Sequence, residues 1–97
     1  MVKNSNSIIN ACWKLSPGIA SRKVADEVVL LNLKTSDYYS MNPTAVIVWE
    51  LICKNKKLGE IVKTMAAQFN ADAGRVKKDV LELIKKLESE KIVTRSI

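Results

Sequence analysis

The chain has 97 residues, 47% of them hydrophobic and 27% charged, and its 16 basic against 10 acidic side chains give a formal charge of +6. That length holds one modest core and excludes two, and the composition is that of a globular domain, not of a disordered or fibrous chain. There is no histidine, and the two cysteines, Cys12 and Cys53, stand far apart without CxxC spacing, which excludes the common zinc sites and leaves a cysteine nucleophile without its usual base.

The basic residues are scattered, from Lys14 and Arg22 to Lys77 and Lys85, with no dense Lys/Arg block. The charge reads first as a solvated surface; it favours an anionic partner and keeps nucleic acid among the alternatives. Residues 1–7 are polar and lack the apolar stretch of an export signal, so they read as a frayed terminus, with residues 1–10 expected to be flexible. The longest apolar run, residues 45–53, is broken by Glu50 and is far shorter than the roughly 18 residues of a spanning helix. The expectation is one cytoplasmic domain over residues 1–97, clear of the membrane, with both thiols reduced and one of them buried beside Trp49.

In chain order, Cys12-Trp13-Lys14-Leu15 can open as a strand that Ser16-Pro17-Gly18 ends in a turn. Residues 19–24 and 27–33 are rich in aliphatic and β-branched side chains, and Ala25-Asp26 between them reads as a tight hairpin connection. On the second of these strands Val29, Leu31 and Leu33 share one face and Val28 and Leu30 the other, which predicts cover on both sides near its start. Residues 34–37 form a polar turn, and Tyr38-Tyr39-Ser40-Met41 a short third strand that completes an antiparallel meander.

Asn42 is a good N-cap, and Pro43 at the first helical position already has the φ that a helix requires. In this first helix Ala45, Val48, Trp49 and Ile52 make an apolar stripe that Val46, Ile47 and Leu51 widen most of the way round, as in a helix buried against several elements. Burial of Trp49 alone is worth about 3 kcal/mol. After Asn55-Lys56-Lys57 a second helix carries Leu58, Ile61, Val62, Met65, Ala66 and Phe69 at helical spacing. Asp72 caps a third helix that runs to about Glu90 with Val76, Val80, Leu83 and Leu87 as its core stripe. No glycine follows it, so either residues 89–91 take the terminal turn at a cost of about 1 kcal/mol or the helix frays, with Ile92 and Val93 as a short closing segment. The predicted fold class is α+β, a winged helix-turn-helix-like arrangement with an N-terminal three-stranded antiparallel sheet followed by three helices.

Little here could do covalent chemistry. Asp37 falls in a turn, while Glu50, Glu60, Asp79, Glu82, Glu88 and Glu90 lie on polar helix faces beside lysines, where i,i+4 pairing accounts for them. No GxGxxG or GxxxxGK[ST] sequence is present to cradle a phosphate. The chain therefore reads as a non-enzyme without cofactor or metal, and the two candidates are a peptide-binding module and a winged-helix DNA-binding protein.

At 100° per residue the third helix has two shoulders beside its core stripe, with Lys77, Leu81, Ile84 and Glu88 on one and Arg75, Asp79, Glu82, Lys86 and Glu90 on the other. Acids on the outer face weigh against a DNA recognition helix, which needs Arg, Asn, Gln and Ser where bases are read. Leu81 and Ile84 are either apolar anchors for a ligand or ordinary packing on the sheet or a neighbouring helix. The strand at residues 37–41, if it is the sheet edge, can pair with an extended peptide, while Tyr38 or Tyr39 and the Leu81 shoulder receive alternate side chains. Ordinary sheet packing for one tyrosine ring and solvent for the other fits the same pattern.

The aliphatic strand at residues 28–33, the turn and tyrosines before Met41-Asn42, Trp49 in the first helix, Leu58 with Glu60-Ile61 in the second, and Asp79-Val80 with Leu83 and Leu87 in the third come in a telling order. Over residues 19–93 they resemble the PqqD-like family, the peptide-binding domains called RiPP recognition elements. Two departures are Lys57, where a capping Ser or Thr is common, and Lys91, where a Gly commonly precedes the last apolar pair. The resemblance implies a non-catalytic chaperone that binds the leader of a ribosomally made precursor peptide by strand addition and presents the core to a modifying enzyme. Stand-alone versions of this length are similar to the B1-type proteins of lasso peptide systems, whose partners are a leader peptidase and an ATP-dependent cyclase. Pyrroloquinoline quinone assembly, with a radical SAM enzyme as partner, is the neighbouring alternative. By the same resemblance the leader contacts fall at Asp37, Tyr38, Tyr39, Ser40 and Met41 and on the third helix, where the wheel selects Lys77, Leu81, Ile84 and Lys85.

Overall fold

The computed structural model describes residues 8–96, which form β1 (Cys12–Leu15), β2 (Ile19–Val24), β3 (Glu27–Asn32), β4 (Tyr38–Met41), α1 (Pro43–Cys53), α2 (Leu58–Phe69), α3 (Ala73–Ser89) and β5 (Val93–Ser96). Of the residues expected to be flexible, 1–7 lie outside the described ones. Ile8 packs against the core, and a Cβ on Gly59 would sit 2.7 Å from Ile9 Cγ2, so the chain passes directly over the start of α2.

β2, β3 and β4 make the antiparallel meander, with Ala20, Leu31 and Tyr38 in one cross-strand row and Ser21, Leu30 and Tyr39 in the next. Ala25-Asp26 closes the first hairpin, Ala25 taking a φ of 56°. One side chain organises the second connection: Asn32 Oδ1 accepts from the Lys34 N–H at 2.9 Å and the Thr35 N–H at 3.2 Å. Thr35 Oγ1 in turn accepts from the Asp37 N–H at 3.2 Å. This Asx turn ends β3 at Asn32, one residue before the expected boundary, and leaves Leu33 in the turn.

Among the described residues only one face of the meander is covered. Val28, Leu30 and Met41 point into the core, whereas Leu31 is 37% and Leu33 62% exposed. The expected cover on both sides is thus corrected, because no described element packs on the far face. β1 does not belong to this sheet either. It pairs with β5 in a separate two-stranded antiparallel sheet, Trp13 opposite Arg95 and Leu15 opposite Val93. These elements make an α+β fold, three helices and two sheets among the described residues, and the expectation of one N-terminal sheet followed by helices is corrected by this second pair.

Each helix starts on a named acceptor. Asn42 Oδ1 accepts from the Ala45 N–H at 2.8 Å, and Asp72 Oδ2 from the Arg75 N–H at 3.0 Å. At α2 the Glu60 carboxylate accepts from the Lys57 N–H at 3.0 Å, which supplies half of a capping box although a lysine holds the N-cap. The helix ends are equally regular. Asn55 (φ 65°) and Lys91 (φ 61°) enter the left-handed region one residue past the C-cap, and Asn70 (φ 49°) does so at the C-cap itself. After α3 the Ile92 N–H donates to Leu87 O and the Lys91 N–H to Glu88 O, both at 2.9 Å, which is a Schellman motif. Of the two outcomes expected there, the terminal turn is the one realised.

The core is closed by Val46, Val48, Trp49 and Ile52 of α1, Leu58, Ile61, Val62 and Met65 of α2, and Val80, Ile84 and Leu87 of α3. Three expectations change here. Phe69 is 48% exposed, since it is the last residue of α2 and the chain turns away at Asn70. Ile84 is fully buried while Leu83 sits half-buried at the margin, because the β1–β5 pair packs α3 from the Ile84 side, where the Trp13 Nε1–H donates to Glu88 Oε2 at 2.9 Å. Neither cysteine is buried: Cys12 is half-buried with its thiol directed at Asn55 O, and Cys53, one turn from Trp49, is exposed at the end of α1. No helix among the described residues is long and apolar enough to cross a membrane.

Candidate functional site

β2 and β4 are the two edges of the meander. Along an antiparallel ladder, pairs that exchange both backbone bonds alternate with pairs whose N–H and C=O groups point away. The Asn32 N–H donates to Asp37 O at 2.9 Å, so the register makes Leu30–Tyr39 and Val28–Met41 bonded pairs as well. The N–H and C=O groups of Tyr38 and of Ser40 are then left facing the free edge.

Beyond that edge stands α3. The strand and the helix do not pack closely, and between them lies a cleft of about 620 Å³ lined by Asp37, Tyr38 and Tyr39 from the strand side and Lys86, Ser89 and Glu90 from the helix. Lys86 Nζ lies 5.2 Å from the centroid of the Tyr39 ring, a cation–π contact. At so exposed a site it contributes about 0.5–1 kcal/mol. Nearer the start of α1, Val76, Asp79 and Leu83 face Thr44, Ala45 and Phe69 across a second, more apolar cleft of about 360 Å³. At 100° per residue Val76, Asp79, Leu83, Lys86 and Glu90 fall in one stripe, so both clefts lie along the same side of α3, and β4 leads from one to the other.

Asp37, Tyr38 and Tyr39 are therefore brought to the cleft, and Ser40 to its edge. The Tyr38 ring is 74% exposed on the outer face of the sheet, Tyr39 turns inward, and the Met41 side chain is 1% exposed and belongs to the core. On α3 the structure does not bring the expected residues together with them. Ile84 is inside the core, and Lys77, Leu81 and Lys85 lie on the shoulder of Glu88, which is held by Trp13 of β1. The groove takes the opposite shoulder, Lys86 and Glu90, together with Leu83, which was expected in the core. A helical wheel yields two shoulders without a direction. The bond that orients this one joins residues 75 apart in sequence, and the local signal that remained was Leu83 at the border of the charged face.

The other flank of the sheet is chemically different. Lys23 of β2 pairs with Glu50 of α1 at 3.8 Å, and Cys53 lies in the same shallow cleft as Lys23 and Trp49. Partial desolvation of the sulfur against the cleft wall, and secondarily the charge of Glu50, pushes the Cys53 thiol pKa up, which suppresses its thiolate at neutral pH.

The family model of coenzyme PQQ synthesis protein D (PqqD) matches residues 27–93. Among solved structures, TbiB1 in complex with the TbiA(beta) leader peptide is similar at 29% identity and a TM-score of 0.79, over 82% of this chain and 93% of that one. Lasso peptide synthetase B1 complexed with the leader peptide has a TM-score of 0.81 at 16% identity, over 84% of this chain and 96% of that one, a likeness of fold alone. No curated protein matches the chain.

Proposed function

This chain belongs to the PqqD family, and on that premise we propose that it is a RiPP recognition element, a single non-catalytic domain over residues 1–97 that captures the leader of a ribosomally made precursor peptide. The observation that carries the reading is the uncharged edge of β4, whose Tyr38 and Ser40 backbone groups are free, facing the side of α3 that holds Leu83 and Lys86. A peptide strand added there makes backbone bonds with Tyr38 and Ser40 and turns every second side chain into the groove. Four such bonds at about 1 kcal/mol each and two apolar anchors at about 1.5–3 kcal/mol each, less the ordering of a flexible peptide, give micromolar to sub-micromolar affinity.

The likeness to TbiB1, a protein solved with a leader peptide, supports the same class of ligand here. It favours a lasso peptide setting in the cytoplasm, with a leader peptidase and an ATP-dependent cyclase as the enzymes served. Pyrroloquinoline quinone assembly beside a radical SAM enzyme is the second reading, favoured by the family match itself. In either setting the domain works as a winged helix-turn-helix unit, α2 and α3 forming the helix pair and the meander the wing. Its α3 walls a peptide groove and carries exposed Asp79, Glu82 and Glu90 where DNA phosphates would be repelled.

Backbone amide NMR tests this. Labelled protein is titrated with the N-terminal segment of the precursor encoded beside its gene, and in parallel with random duplex DNA. Shifts at Tyr38, Ser40, Leu83 and Lys86 with the peptide alone are expected. Shifts with DNA alone would overturn the reading in favour of a winged-helix DNA binder.

A further inference from the structure

We infer that Lys34 and Lys91 form a cationic gate at one end of the groove, which selects an acidic side chain of the bound peptide just outside its strand-forming segment; this rests on the peptide-capture reading. The cleft beside β4 does not stop at Tyr38. It continues over Asn32 and Thr35 into a third cleft of about 480 Å³, between the β3–β4 turn and the β1–β5 sheet, and Asn32, Thr35 and Lys91 line both spaces. A peptide paired with Tyr38 and Ser40 leaves the strand either toward Phe69 or over this passage. In the passage stand Lys34 and Lys91.

Neither lysine is in an ion pair with a described residue. Among the described residues the ion pair found is Lys23–Glu50, on the other flank of the sheet. Glu88, the carboxylate that shares the passage, keeps its charge while it accepts from Trp13 at 2.9 Å, so two cations against one anion leave the passage net positive; Asp37 and Glu90 line the strand cleft together with Lys86. The backbone of Lys34 is fixed and its stem is guided. Its N–H is bonded to Asn32 Oδ1, and its stem lies along Gly18, whose absent Cβ would meet Lys34 Cγ and Cε at 3.9 Å.

Lys91 carries the second, independent observation. Three helices end in left-handed residues, two of them on asparagine, which tolerates that conformation, and the third on a lysine at φ 61°. A glycine would relieve this strain. Ala25 and Ser36 take the same region in tight turns, so the strain alone marks nothing; what sets Lys91 apart is that it also lines both the strand cleft and the passage. Two lysines and Glu88 leave the passage with one net positive charge, which one further carboxylate would match.

The test selects a random peptide library displayed on phage against the wild-type domain and against the Lys34→Ala/Lys91→Gly double variant. Wild type is expected to enrich alternating apolar segments with Asp or Glu at one end; the double variant keeps the apolar pattern and loses the acid. The best acidic peptide should bind the double variant about tenfold more weakly, with a flatter salt dependence. Lys91→Gly alone should raise the melting temperature by roughly 4–8 °C while it weakens binding, so misfolding is not the cause of the loss. Enrichment of the apolar pattern without an acid, or an acid preference that survives both substitutions, overturns the gate and leaves peptide capture standing. If no pattern is enriched at all, capture fails and the gate with it.

Discussion

The two edges of the three-stranded sheet have the same backbone and similar surroundings: β4 faces α3 across a cleft of about 620 Å³, and β2 faces α1 across one of about 410 Å³. They differ in side chains. β2 reads Ile19-Ala20-Ser21-Arg22-Lys23-Val24, with two cations in mid-strand and one of them tied to Glu50 at 3.8 Å. β4 reads Tyr38-Tyr39-Ser40-Met41 and carries no charge. Lysine and arginine on an exposed edge are a common guard against pairing with another chain, because a strand added beside them must desolvate or displace them. Every edge offers free backbone groups, so geometry alone does not distinguish a docking edge from a guarded one. Here the distinction lies in Arg22 and Lys23, and in their absence from β4.

Proline placed at matching positions should break that comparison most sharply. The Ser40 N–H faces outward, so Ser40→Pro removes a donor from the docking edge without removing a ladder bond. A loss of at least tenfold in affinity for the precursor leader is expected, with an unchanged circular dichroism spectrum. Ser21 has the equivalent outward N–H on β2, and Ser21→Pro should leave affinity unaltered. The reverse result would move the site to β2. Next in size is the groove wall: Leu83→Glu is expected to weaken binding about tenfold, whereas Leu81→Glu, on the shoulder toward β1, should lower stability by about 1–2 kcal/mol and spare affinity per folded molecule. Smaller still is the effect of removing the guard. Arg22→Thr with Lys23→Thr should let the domain self-associate through β2 as concentration rises, read by sedimentation velocity; a variant that stays monomeric throughout would show that these cations guard nothing.

Much of this was legible in sequence wherever the cause is local. Asn42 with Pro43, and Asp72 three residues before Arg75, act through bonds that span a single turn, and the structure contains both. The hairpin at Ala25-Asp26 and the edge strand of two tyrosines follow in the same way from alternation and turn chemistry. What escaped depends on contacts between the ends of the chain. Val93-Thr94-Arg95-Ser96 has two β-branched residues but is too short to be read as a strand without a partner, and it becomes β5 by pairing with β1. That same pair orients α3. With Trp13 bonded to Glu88, Ile84 is turned inside and Leu83 toward the groove while Val80 and Leu87 stay buried, a shift of the stripe by about 40° that no wheel can supply. Of the strand residues proposed for the site, Asp37, Tyr38, Tyr39 and Ser40 lie at the cleft and its edge while the Met41 side chain is in the core, and the helix half was readable only as two alternatives.

Cys53 offers the finest test of which edge is occupied, because its thiol lies in the β2 cleft with Ser21 and Lys23 and far from Tyr38 and Ser40. Its raised pKa favours the neutral thiol in the folded state, first through burial and then through Glu50. The sign follows directly: this stabilisation is complete below the pKa of the unfolded thiol, about 8.5, and is lost as pH climbs through the higher folded value. Alkylation of Cys53, followed by peptide mapping to separate it from Cys12, should therefore lag behind a free thiol near pH 8 and draw level at higher pH. Glu50→Gln should recover part of the lag and not all of it, since burial is the larger cause. Saturating leader peptide should leave the rate unchanged if the peptide lies on β4. A peptide on β2 would cover the sulfur and slow the reaction, which makes a single thiol enough to tell the guarded edge from the open one.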